Sequence, residues 1–213
     1  LSEITSELCV VQESRSVFPG LNQSRYLKNI EIEKYFREVN KAQDFFFNKE
    51  VIKPKNKIII LPLTLGDLSK IDIADLDNFL NSDLYIVFGS SYIKGELCDY
   101  LIRNKAINIH MGLSPFYRGT DCNFWALMDK NFMHVGSTIH YLSDGLDNGD
   151  IIYHALPKYF ENPFLFTMSS VKSAIDSLVL KINDKSIINK KGTKQDKKLE
   201  IRYSKISSFT DHN

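Results

Sequence analysis

Asn108 and His110 stand two residues apart in Ala106-Ile107-Asn108-Ile109-His110, a run whose apolar residues give it strand character. Residues two apart on a strand face the same side, so an amide and an imidazole would be presented together at a strand's end. Downstream, Ser143-Asp144-Gly145-Leu146-Asp147-Asn148-Gly149-Asp150 sets three carboxylates and two glycines between two β-like runs. This set suits acyl transfer to an amine. An Asn amide stabilises a developing oxyanion, a His moves a proton near neutral pH, and a carboxylate favours the imidazolium and accepts the nucleophile's proton. No serine or cysteine nucleophile is required when transfer is direct. Taken singly, the same residues have plainer readings: Asn108 and His110 as a hydrogen-bonded pair at a strand end, and Asp147 as a turn residue before Asn-Gly. Asp144 and Asp150 read as turn and solvent-facing residues.

The elements that would position this set alternate in type. Short apolar runs predict strands over residues 8–12, 57–61, 84–88, 106–110, 137–141 and 151–154, several continuous enough in Ile, Val and Leu to be covered on both faces. Between them, helical spacing predicts helices over 25–47, 95–104 and 166–183. Alternation of this kind argues for an α/β sandwich with a mostly parallel sheet, in which ligands gather at the carboxyl ends of strands. Met111-Gly112-Leu113-Ser114-Pro115-Phe116-Tyr117-Arg118-Gly119 follows His110 and should border the cleft, making Tyr117, Arg118 and Gly119 candidates for contact with an acceptor. Trp125, Phe124 and Leu127 read as helix packing, and Phe45-Phe46-Phe47 as core. His134, His140 and His154 lack a compact ligand spacing, so no metal is expected.

Length and composition set outer bounds. At 213 residues there is one substantial core, here residues 1–188 with the catalytic segment at 106–154. Residues 189–198, rich in Lys and poor in apolar residues, read as a solvated loop within a polar tail, 189–213. A net charge of +1 gives no reason to expect nucleic acid or an anionic membrane as partner, and no apolar run approaches the ~20 residues needed to span a bilayer. Cys9, Cys98 and Cys122 read as reduced thiols, consistent with a cytoplasmic protein; homodimerisation is left open. The chain opens on Leu1 and soon reaches the apolar Leu8-Cys9-Val10-Val11, as though entered partway through a fold.

The ordered series is more specific than any one piece. Asn108-Ile109-His110, Ser114-Pro115, Arg118-Gly119, Trp125, Gly136-Ser137-Thr138-Ile139-His140 and Gly145-Leu146-Asp147-Asn148-Gly149 together resemble the folate-dependent formyltransferases, a family that includes glycinamide ribonucleotide, methionyl-tRNA and nucleotide-sugar formyltransferases. The resemblance implies a Rossmann-like three-layer sandwich. It implies a formyl group taken from 10-formyltetrahydrofolate as co-substrate, with Asn108 on the formyl oxygen, His110 in proton transfer, and Asp147 keeping His110 charged and taking the amine's proton. The donor's pterin would lie between Phe88-Gly89-Ser90-Ser91-Tyr92-Ile93 and the Asp147 loop with its Gly145. Two departures stand out. The loop after the histidine is Met111-Gly112-Leu113-Ser114-Pro115 where many relatives have Pro-Ser-Leu-Leu-Pro, and the strand that opens the family's sheet, in its middle, is not found before residue 8. The resemblance and the short tail together favour a small primary amine, an amino sugar carried on a nucleotide, over methionyl-tRNA. Hydrolysis of the same donor, and an incomplete folate-binding relative without activity, are the alternatives.

Overall fold

The computed structural model describes residue 1 and residues 3–14, 30–47 and 55–209. In chain order the elements are β1 (Glu7–Ser14), α1 (Ile30–Phe47), β2 (Lys57–Thr64), α2 (Asp77–Leu80), β3 (Ile86–Phe88), α3 (Gly95–Arg103), β4 (Ile107–His110), β5 (Tyr117–Gly119), α4 (Cys122–Met128), β6 (Ser137–Tyr141), β7 (Ile151–Ala155), α5 (Pro163–Asn183) and β8 (Arg202–Ser204). All six expected strands are present. The first expected helix runs from Ile30; residues 25–29 lie outside the described residues. No described helix is long and apolar enough to cross a membrane.

Hydrogen bonding divides the strands into a parallel β1–β2 pair, a four-stranded sheet in the order β3-β4-β6-β7, and a parallel β5–β8 pair. Within the four-stranded sheet, β3 and β4 are parallel, while β6 is antiparallel to both β4 and β7. Three of the five pairings are therefore parallel, giving the parallel-rich α/β fold expected. The larger ladder is interrupted between β1 and β3, where the Glu13 carboxylate at the end of β1 accepts from Ser91 N (2.7 Å) and Ser91 Oγ (2.8 Å) beyond β3.

Alternation along β4 decides which side chains reach the site. Ile107 and Ile109 join Ile139, Ile152, Ala174, Leu178 and Ile187 in one core cluster, which leaves Asn108 and His110 on the opposite face. Ile107 (1% exposed) and Ile139 (0%) each contribute about 1.5–3 kcal/mol of burial. α5 covers this cluster. It starts cleanly because the Asn162 side chain accepts from the N–H groups of Phe164 and Leu165 while Pro163 occupies the first turn. On the other layer, Leu97, Cys98 and Leu101 of α3 pack with Leu68, Leu76, Ile93 and Ala106.

Phe45 departs from expectation, being 64% exposed, with Phe46 meeting Phe160 edge-on. Three consecutive helical residues sweep some 200° of the helix surface, so they cannot all face one core. The segment 189–198 also differs from a solvated loop. It is largely exposed, yet Thr193 and Ile151 exchange both backbone hydrogen bonds at 2.8 Å, and Gln195 reaches inward to the loop that carries Asp147.

Candidate active site

β4 lies between β3 and β6, and its register places Asn108 directly opposite His140 and His110 opposite Thr138. The cross-strand partners do specific work. His140 is fully buried; its Nδ1 lies 2.8 Å from the Tyr141 carbonyl, which can only accept, so the proton sits on Nδ1. Its Nε2 is then the acceptor for the Asn108 amide at 3.0 Å. One Asn108 N–H is thereby fixed and the other is left for a ligand. Thr138 donates to Gly112 O (2.6 Å) and accepts from Ser114 N (2.9 Å), pinning the loop that leaves β4. Gly112 must be glycine for this path: a Cβ there would come within 2.5 Å of Cys122 Cβ and 2.6 Å of His110 Nε2.

His110 is 6% exposed, with both ring nitrogens engaged. Nε2 faces Tyr117 O at 3.1 Å and Nδ1 faces Asp147 Oδ1 at 3.3 Å. Asp147 is 10% exposed; its Oδ1 also lies 3.9 Å from His140 Nε2, and Oδ2 accepts from Gly119 N at 3.2 Å. Only the imidazolium form of His110 satisfies both of its contacts, since each is to an oxygen that accepts. Burial opposes that charge and outweighs the pull of Asp147, holding the imidazole pKa below its ordinary value, with Arg118 adding repulsion. At Asp147 burial acts upward, but the attraction of His110, the contact with His140 and the Gly119 N–H together prevail, so its carboxyl stays below the usual carboxylate range. The pair combines a carboxylate favoured as the anion with an imidazole whose burial disfavours the charge that its two contacts would accommodate. The expected role of Asp147 in keeping His110 charged therefore meets an opposing effect, the burial of the ring.

The structure thus brings Asn108, His110 and Asp147 together. It redistributes the acceptor candidates. The Tyr117 ring is fully buried, its hydroxyl donating to Asp129 (3.1 Å) and accepting from Asn131 (2.8 Å), so the side chain does not border the cleft. Arg118 is held by Glu200 (2.7 Å) and by Leu146 O (3.0 Å); it ties the segment around Glu200 to the Asp147 loop. Gly119 acts through its backbone N–H on Asp147.

Of the expected donor-site residues, Phe88, Gly89 and Tyr92 are exposed, Ser90 turns its hydroxyl to Ser91 O, Ser91 is taken by Glu13, and Ile93 enters the core. Tyr92 donates to Asp144 O at 2.8 Å, linking this loop to the Asp147 loop, where Gly145 closes a turn on the Asn148 side chain. A cleft of about 640 Å³ opens beside that junction, lined by Ile102, Lys105, Leu142, Asp144 and Gly145 among others, while Asn108, His110 and Asp147 are not on its wall. Sequence reasoning missed two organisers. Glu13, which also accepts from Gly66 N at 2.8 Å, is signalled only by a carboxylate ending an apolar strand. His140, set aside as a metal ligand and otherwise given no role, could have been found by pairing its strand with that of Asn108.

Comparison with known proteins identifies the family. A model of the formyl transferase family matches residues 35–164, a span containing all three candidate catalytic residues. Methionyl-tRNA formyltransferase of Caldicellulosiruptor saccharolyticus is 36% identical over 118 residues, covering 55% of this chain and 37% of that protein. The corresponding protein of Alkaliphilus oremlandii is 31% identical over 104 residues, covering 49% of this chain and 32% of its own length. The chain spans about a third of the length of the curated relatives it matches. Among solved structures, the formyltransferase PseJ of Anoxybacillus kamchatkensis, in complex with UDP-4,6-dideoxy-4-formamido-L-AltNAc and tetrahydrofolate, superposes with a TM-score of 0.57 at 20% identity, covering 95% of this chain and 87% of that one. A 4-N formyltransferase of Francisella tularensis gives 0.54 at 20% identity, covering 96% and 78%. These distant likenesses establish a common fold. With the family match extending over more than half of its residues, the chain belongs to the formyl transferase family.

Proposed function

We propose that this protein transfers a formyl group from 10-formyltetrahydrofolate to a primary amine of a small acceptor, with a nucleotide-linked amino sugar as the favoured acceptor. The observation that carries the reading is the meeting of Asn108, His110 and Asp147 on one strand end and one loop, with His110 Nδ1 3.3 Å from Asp147 Oδ1. The amine nitrogen attacks the formyl carbon, forming a C–N bond while the carbonyl pair moves to oxygen. The unfixed Asn108 N–H stabilises that oxyanion, while His110, held by Asp147, serves in proton transfer. Asp147, anionic at rest, accepts the amine's proton directly or through water. Collapse breaks the bond to the folate nitrogen, which leaves with a proton, so the reaction needs no net acid or base.

A folate donor is supported by the exposed Phe88 and Tyr92 rings and by the cleft lined by Leu142, Asp144 and Gly145, next to the Tyr92–Asp144 link. The sugar acceptor is supported by the formamido sugar nucleotide held by PseJ, a fold relative that this chain matches along most of both lengths. It is also supported by a net charge of +1, too little for tight binding to a polyanionic RNA. The test is incubation of the full chain with 10-formyltetrahydrofolate and either a panel of UDP- and dTDP-linked amino sugars or methionyl-tRNA, followed by mass spectrometry. A mass gain equal to one carbonyl on an amino sugar supports the reading. Gain on methionyl-tRNA alone overturns the acceptor, and release of formate independent of any amine overturns transfer.

A further inference from the structure

We propose that Gln195 is a positioning residue for Asp147, gripping the peptide backbone of the catalytic loop from a segment whose composition reads as mere tail. The proposal rests on the formyl-transfer reading only in naming Asp147 as the group to be positioned.

Asp147 sits at φ +50°, a left-handed conformation that Asp adopts more readily than most residues with a Cβ, and that is kept in place by contacts to its peptide. The contacts to His110 and Gly119 hold the carboxylate; they do not hold the peptide. That falls to Gln195, whose Nε2 donates to Asp147 O at 2.9 Å and to Gly149 O at 2.8 Å. One planar amide with two hydrogens thus fixes two carbonyls that flank Asn148. The other contact to Asp147 O, from Ser114 Oγ, is longer at 3.4 Å.

Gln195 is itself delivered rigidly. Two residues before it, Thr193 N and O both bond to Ile151 at 2.8 Å. Gly192 lies so close to the loop that a Cβ there would come within 2.6 Å of Asp150 Cβ. Five residues beyond, Glu200 holds Arg118, whose other nitrogen holds Leu146 O. The segment therefore clasps the loop carbonyls at 146, 147 and 149 from outside, while β4 and β5 meet the Asp147 carboxylate from inside. The Gln195 Oε1 is buried without a hydrogen-bond partner among the described residues. An apolar side chain would fill the same space without that unmet acceptor, so the amide's value here lies in its two donors.

His110 reports on the arrangement independently of turnover. It is faced by Asp147, His140 and Arg118, with Cys122 behind Gly112, and of the charged groups only Asp147 favours its protonation. In Gln195→Met, which keeps volume and loses both donors, the loop relaxes and Asp147 draws away. The His110 titration followed by NMR should then move to lower pH than in the unaltered protein. The turnover number should fall about ten-fold, the equivalent of about 1.4 kcal/mol, with KM for donor and acceptor unchanged. A lowered melting temperature with His110 titrating as before would mean that Gln195 serves only to anchor the tail, and would overturn the proposal; so would unchanged titration and turnover. Gln195→Asn, which keeps the amide but shortens its reach, carries the same comparison if Gln195→Met does not fold. A shift of His110 in a protein that transfers no formyl group would leave the positioning role standing and remove the proposed function.

Discussion

Replacing Asp147 by Asn tests the electrostatics of the site with little change of shape. The carboxylate lies 3.3 Å from His110 Nδ1, and at an effective dielectric of about 20 the attraction of unit charges at that distance is ~5 kcal/mol. Breaking a buried ion pair by removing one partner costs about 3–5 kcal/mol, in agreement. At about 1.4 kcal/mol per decade, loss of this attraction in a transition state that charges His110 lowers the rate by roughly two to four orders of magnitude. An Asn at 147 can still offer an oxygen to Gly119 N, so the loop geometry is retained. The assay is single-turnover formyl transfer under saturating donor and acceptor, with circular dichroism confirming the fold. A folded Asp147→Asn protein working within ten-fold of the parent would refute the assignment of charge to His110 during transfer.

Individual contacts carry their own expected outcomes. His140→Phe leaves the Asn108 amide without its 3.0 Å acceptor; turnover should drop by at least ten-fold with KM for the donor little changed, as steady-state kinetics would show. Gly112→Ala forces a Cβ into Cys122 and His110 and should destabilise the protein by about 1–3 kcal/mol in urea titration. Stability should also depend on pH through His110. Burial holds its folded-state pKa below the ordinary 6.5, so between those two values the unfolded chain binds the extra proton. Stability is therefore full above about pH 6.5 and declines as the pH falls through that window; denaturant midpoints should show the slope, and His110→Gln should flatten it. Asp147, held below 3.8, loses its contribution only at still lower pH, as that carboxylate is protonated.

How much of this was visible in the residues themselves varies with the range of the interaction that decides it. β4 and β6 were legible because Ile107, Ile109 and Ile139 supply a local apolar pattern, and period-two alternation then put Asn108 and His110 on one face without any tertiary information. Asp147 was legible through its glycine-flanked loop. β5 and β8 were not: Tyr117-Arg118-Gly119 and Arg202-Tyr203-Ser204 carry no strand pattern, and they become strands by pairing with each other across some 85 positions. The same limit explains Tyr117 and Arg118. Their chemistry suits an acceptor, but burial of one and capture of the other by Glu200 depend on β8 and the segment before it. Gln195 lies in a Lys-rich run that composition assigns to solvent, and it is the long-range Thr193–Ile151 bridge that turns it inward. The Phe45-Phe46-Phe47 run shows the opposite error, in which hydrophobicity suggested core while helix geometry directed Phe45 outward.

The central claim is that Asn108, His110 and Asp147 act as one unit on a formyl carbonyl. Single-turnover rates of Asn108→Ala, His110→Ala, Asp147→Asn and the triple variant test it together. If the three form a unit, the triple variant is no slower than the slowest single variant within about ten-fold, because each change alone already disables the set. Losses that multiply across the three positions, or single variants that all transfer at the parent's rate, would contradict the account.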